Sequence, residues 1–111
     1  MRITITARHC EVPDELRERA RRLVERLSRM ATRPHDAQVL FDEDHGTPAV
    51  ELRVHVARGM VHVGAAEASD HRSALDRAAA KVRRQLDKAP PKRTKRRRRG
   101  TARRVLEREQ R

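Results

Sequence analysis

The stretch Ala49-Val50-Glu51-Leu52-Arg53-Val54-His55-Val56-Ala57, Arg58-Gly59, Met60-Val61-His62-Val63-Gly64-Ala65-Ala66 decides the fold. Val50, Leu52, Val54 and Val56 alternate with Glu51, Arg53 and His55, and a period of two with one apolar face marks a strand that is wet on its other side. Arg58-Gly59 supplies a tight two-residue turn. The stretch therefore predicts an antiparallel pair of strands over 49–57 and 60–66, with His55 directly opposite His62.

Working outward from this hairpin, residues 37–42 (Ala-Gln-Val-Leu-Phe-Asp) read as a preceding strand, and Glu43-Asp44-His45-Gly46-Thr47-Pro48 as the polar turn between them. Further upstream, Ile3, Ile5 and Ala7 alternate with Arg2, Thr4, Thr6 and Arg8, the pattern of one more half-buried strand. Between these strands, Pro13-Asp14-Glu15 opens a run in which Leu16, Ala20, Leu23, Leu27 and Met30 recur at helical spacing. Proline and acids suit a helix start, and Pro34 ends the run. Downstream, Ser69 or Asp70 caps a second helix whose Leu75, Ala78, Ala79, Val82 and Leu86 fall on one stripe. Pro90-Pro91 stops it.

The element order is thus β-α-β-β-β-α. The first crossover makes the first two strands parallel, and the others follow as an antiparallel meander. Only the two helices can shield the apolar sheet face. The expected fold is α+β, a two-layer sandwich of a four-stranded sheet with both helices on one face.

The chain has 111 residues, with one Phe and neither Trp nor Tyr, so its core is small and aliphatic. Its net charge of +12 is unevenly spread. Residues 1–88 hold 17 basic and 14 acidic residues, while 89–111 hold 11 and 2. The sequence therefore divides into a nearly balanced folded domain, 1–88, and a basic tail, 89–111, expected to be disordered when free and suited to a polyanion. Cys10 is alone, and no apolar run has the length of a signal or membrane span. These features point to the cytoplasm and away from a membrane.

Arg77, Lys81, Arg84 and Lys88 fall at offsets of four, three and four on the second helix, opposite its apolar stripe. Arg22, Arg26, Arg29 and Arg33 repeat those offsets on the first helix. Two adjacent ridges of this kind present cations at phosphate-binding spacing. They equally fit the ordinary charged face of an amphipathic helix. Lys92, Arg93, Lys95, Arg96, Arg97, Arg98 and Arg99 extend the candidate RNA-binding set into the tail. No phosphate-cradling glycine loop, zinc-binding cysteine set or nucleophile elbow is present in the sequence. His9-Cys10 would point to opposite faces of a strand. No catalytic residue, metal site, cofactor or small-molecule substrate is therefore expected, and the His55/His62 pair lacks a third ligand.

Leu52-Arg53-Val54-His55-Val56, Gly59, Val61-His62, then Ala74-Leu75-Asp76 and Lys81-Val82-Arg83-Arg84-Gln85-Leu86-Asp87-Lys88 resemble the ribosome hibernation-promoting factors, the ribosome-associated inhibitor / sigma-54 modulation family. Ile3-Thr4-Ile5-Thr6 and Glu11-Val12-Pro13-Asp14-Glu15-Leu16-Arg17 are similar to the same family's N-terminus. The resemblance implies a layout related to double-stranded-RNA-binding domains. It also implies occupancy of the mRNA and tRNA channel of the small ribosomal subunit, rRNA contact through both helices, and inhibition of translation under stress. Lys81, Arg84 and Lys88 match the family's basic residues on the second helix, and Arg22, Arg26 and Arg29 correspond by region. A ribosome-dimerising partner factor is a further implied partner, since 23 tail residues are too few for the dimerisation domain of long members. His71-Arg72 stands where relatives carry an aromatic, which implies a lost stacking contact. Two other functions compete: a non-specific RNA or DNA chaperone driven by the tail, and a protein-interaction regulator of a sigma factor.

Overall fold

The computed structural model describes residues 1–88. Strand β1 (Arg2–Arg8) is followed by helix α1 (Asp14–Ser28), strands β2 (Asp36–Asp44), β3 (Thr47–His55) and β4 (Val61–Glu67), and helix α2 (His71–Lys88). The sheet order is β1-β2-β3-β4, with β1 parallel to β2 and the later pairs antiparallel. The element order, the mixed sheet and the two-layer α+β arrangement are those predicted.

Each strand turns alternate residues toward the helices. Ala37, Val39 and Phe41 of β2 and Val50, Leu52 and Val54 of β3 are sealed beneath Ala20, Val24 and Leu27 of α1 and Ala74, Leu75, Ala78, Val82 and Leu86 of α2. Val24 lies outside the predicted α1 stripe yet is fully buried. Asp70 caps α2 through the Ser73 N–H at 2.7 Å, and this bond, led by the backbone N–H of Ser73, holds the Asp70 carboxyl below the usual carboxylate range.

Three local expectations are corrected. First, β2 and β3 run on until only His45 and Gly46 separate them, with φ of 53° and 80°. Positive φ at both positions is what a two-residue hairpin turn demands, so the loop is shorter than the predicted six residues. Second, α1 ends at Ser28, and Arg33, at φ 48°, is outside any helix. The residue before a proline is disfavoured in the α region, and Arg33 precedes Pro34. Third, the β3–β4 turn is Ala57–Gly59, one residue longer than predicted, with Arg58 and Gly59 both at positive φ.

That extra residue slips the register by one, and a slip of one exchanges the faces of a strand. His62 pairs with Val54 on the helix side, while His55 pairs with Val61 on the open side. The predicted His55/His62 pair therefore does not form. The physical reason is Gly64: a Cβ there would come within 2.4 Å of the Ala78 carbonyl oxygen. Only the observed register aims the missing side chain at α2.

Candidate nucleic-acid interface

The two helices run in the same direction. α1 connects two parallel strands and so runs against both. On α2, Gln85, Lys81 and Arg77 meet Val63, Ala65 and Glu67 in turn, so α2 runs against β4, itself parallel to β2. Arg19 of α1 grips Asp76 of α2 with Nε and Nη2 at 3.0–3.2 Å, a forked bond that fixes the helices side by side. Seven residues farther along each helix, about two turns, Arg26 stands level with Arg83. Arg83 was not among the predicted site residues, and the signal that finds it is its shared seven-residue offset from the Arg19–Asp76 pair.

Arg22, Arg26 and Arg29 are exposed on the outer surface of α1, the first two within the helix and Arg29 at its C-terminal cap. Arg33 leaves the ridge, for the reason given above.

On α2 the predicted ridge leans toward the sheet edge instead of standing opposite the apolar stripe. Arg77 Nη1 donates to the Glu67 carbonyl at 3.1 Å, and Lys81 Nζ donates to the Ala65 carbonyl at 2.6 Å. Gln85 completes the series, accepting from the Val63 N–H at 3.1 Å and donating to its carbonyl at 2.5 Å. The steps match because four helical residues rise about 6 Å and two strand residues about 6.7 Å. Three α2 side chains thus seal the otherwise unpaired edge of β4. Arg84 and Lys88 are exposed and make no hydrogen bond or ion pair among the described residues. Arg84 borders a shallow groove with Arg77, Lys81 and Glu67. Lys92, Arg93, Lys95, Arg96, Arg97, Arg98 and Arg99, and the division at residue 89, lie outside the described residues.

The opposite sheet face has a different electrostatic character. Arg8 binds Asp42 at 3.0 Å, Arg53 binds Glu51 at 2.6 Å, and His55 Nε2 lies 3.9 Å from Asp36 Oδ1. Two of its three arginines, Arg8 and Arg53, are matched by acids and only Arg2 is unpaired among the described residues, so phosphate is drawn to the helix layer instead. Asp42 also accepts from His9 at 3.1 Å and from the Glu43 N–H. The Arg8 guanidinium, then His9, then that N–H hold its carboxyl down at about 2.

β1 ends at Arg8, so His9 and Cys10 sit in the bend beyond it, and His9 has φ 62°. No group of three or more metal-ligating side chains occurs among the described residues, and no helix there is long and apolar enough to cross a membrane. His71 does make an aromatic contact: its ring meets Phe41 edge-on at 5.9 Å, while Nε2–H donates to the Asp42 carbonyl at 2.8 Å. The imidazole keeps an edge-to-face contact at the position where the resemblance implied its loss.

The sequence profile of the sigma 54 modulation protein / S30EA ribosomal protein family matches residues 3–94. Among solved structures, a ribosomal subunit interface protein from Coxiella burnetii is similar to the chain at 22% identity and a TM-score of 0.68, covering 79% of this chain and 96% of that one. The N-terminal domain of Protein Y from Thermus thermophilus is similar at 24% identity and a TM-score of 0.66, covering 78% and 96%. At these identities the likeness establishes the fold. No curated protein sequence matches the chain.

Proposed function

The chain belongs to the sigma 54 modulation protein / S30EA ribosomal protein family, and from that premise we propose that it is a ribosome-associated hibernation factor acting in the cytoplasm. Its folded body occupies the mRNA and tRNA channel of the small ribosomal subunit and inhibits translation by steric occupancy, without catalysis. The observation that carries this reading is the pair of parallel helices locked by Arg19–Asp76, which present Arg22, Arg26 and Arg29 beside Arg83 and Arg84 on one layer. A layer of closely spaced guanidinium groups on rigid helices suits the phosphates of folded RNA. The naming of one structural relative as a ribosomal subunit interface protein supports the choice of partner.

Lys88 and the tail cations from Lys92 to Arg99 add phosphate contacts along the same RNA, and a separate dimerising factor would pair the occupied ribosomes. Co-sedimentation of the full chain, and of residues 1–88, with small subunits and with naked duplex RNA across a salt series tests the reading. Both forms are expected to stay on small subunits and to be poorly retained on duplex RNA, with a steep salt dependence. Loss of all binding by residues 1–88, with equal binding of the full chain to every polyanion, would replace this function with that of a tail-driven RNA chaperone.

A further inference from the structure

The sheet has two edges, and only one is closed. The β4 edge is capped by Gln85, Lys81 and Arg77. At the other, the backbone groups of β1 that point away from β2 receive no hydrogen bond among the described residues. The apolar row beside that edge is also incompletely covered. Ile3 and Ile5 stay half-buried, whereas their β2 neighbours Ala37 and Val39 are 0% and 1% exposed. On the other face of β1 stand Arg2, Thr4, Thr6 and Arg8, all exposed.

We infer that the β1 edge is a docking site for an extended segment of a partner protein, one whose residues alternate between apolar and acidic or hydroxyl side chains. Added as a fifth strand, such a segment satisfies the vacant backbone groups. Its apolar row extends Ile3 and Ile5 under the margin of α1. Its acids and hydroxyls lie across from Arg2, Thr4, Thr6 and Arg8, where the unpaired Arg2 attracts an acid, Arg8 is shared with Asp42, and hydroxyls hydrogen-bond.

A second copy of this chain fits less well. Antiparallel pairing of β1 with itself about Ile5 sets Arg2 against Arg8 twice, and like charges directly opposite are destabilising. The net charge of +12 opposes self-association further. The site is separate from the helix layer assigned to RNA, so its failure would leave that assignment standing.

The test uses the full chain and a blocked heptapeptide, Glu-Val-Thr-Val-Thr-Val-Glu, followed by amide chemical shifts and amide exchange. A second peptide with serine in place of each valine controls for simple attraction of acids to the basic tail. The expected result is that the valine peptide shifts the amides of residues 3–7 and slows their exchange, and the serine peptide does not. Arg2→Glu, at an exposed position, is expected to weaken the valine peptide about fivefold and to favour a lysine-ended version. Shifts confined to residues outside β1, an equal response to the serine peptide, or β1-to-β1 contacts between copies without peptide would each overturn the proposal.

Discussion

α1 and α2 carry cations at the same offsets, yet those cations do different jobs. Arg22 and Arg26 project from α1, whose neighbour on one side is α2 and whose outer surface is covered by no other helix or strand among the described residues. Arg77 and Lys81 project from α2 beside an edge strand, and their head groups are drawn onto the carbonyls of Glu67 and Ala65. Spacing on a helix fixes which side chains share a face. Whether a shared cation is available to a ligand is settled by the strand beside it, because an unpaired edge carbonyl competes for the same donors.

That contrast depends on α2 lying close upon β4, which Gly64 permits. Gly64→Val puts a branched side chain where even a Cβ would be 2.4 Å from the Ala78 carbonyl oxygen. Backbone must move, and the expected loss is about 3 kcal/mol of stability, measured by urea unfolding. If stability is unchanged, α2 is not held to β4 as described, and the difference between the helices disappears.

The contrast itself is read by reversing two charges on each helix. Arg22→Glu with Arg26→Glu is expected to weaken small-subunit binding by about tenfold or more and to lower the salt slope by about 2, with the melting temperature unchanged. Arg77→Glu with Lys81→Glu should lower the melting temperature as well, since two edge carbonyls lose their donors. Equal behaviour of the two double variants, in both binding and melting, would show that the ridges are equivalent.

Much of this was legible in the sequence. Alternation in β1 and β3 and the Leu75/Val82/Leu86 stripe gave element types, order and the shared helix face, because burial imposes those periods directly. The register of β4 was not legible from its turn. Arg58-Gly59 satisfies a two-residue turn locally, and the deciding contact, Gly64 against Ala78, spans two elements. Five of the ridge residues, Arg22, Arg26, Arg29, Arg84 and Lys88, are exposed on or at the cap of the predicted helices. Arg33 was lost because α1 stops at Ser28, well before Pro34. The bracing roles of Arg77 and Lys81 depend on a neighbour that helical periodicity does not see. Gln85 carried no functional signal at all, being one uncharged residue in a basic run, though it makes two of the four edge bonds.

Gln85→Ala sharpens the comparison at smaller amplitude. It removes both bonds to Val63 and no charge, so the expected loss is about 1 kcal/mol of stability with ribosome affinity unaltered. Amide exchange should quicken at Val63 and leave β1 as before. A loss of affinity without a loss of stability would move Gln85 from the sheet edge to the RNA interface.

The smallest effect falls where the leads into the two helices meet, at Asp42. Its carboxylate holds Arg8 and His9, on the segment running into α1, and its backbone carbonyl holds His71, the first residue of α2. Only the first of these titrates. The carboxyl is held down at about 2 from an ordinary 3.8, so the unfolded chain takes up its proton more readily than the folded one. Its stabilising contribution is therefore complete above about pH 4 and is lost as the pH falls toward 2. In that window the amides of residues 8–10 are expected to loosen while the His71 contact to Phe41 persists, because His71 is held by the Asp42 backbone carbonyl and not by its carboxylate. Asp42→Asn should abolish this acid-dependent change, leaving the His71 bond to the backbone intact. If both segments loosen together in the wild type, the two helix leads form one unit, and the Asp42 carboxylate supports the start of α2 as well as Arg8 and His9.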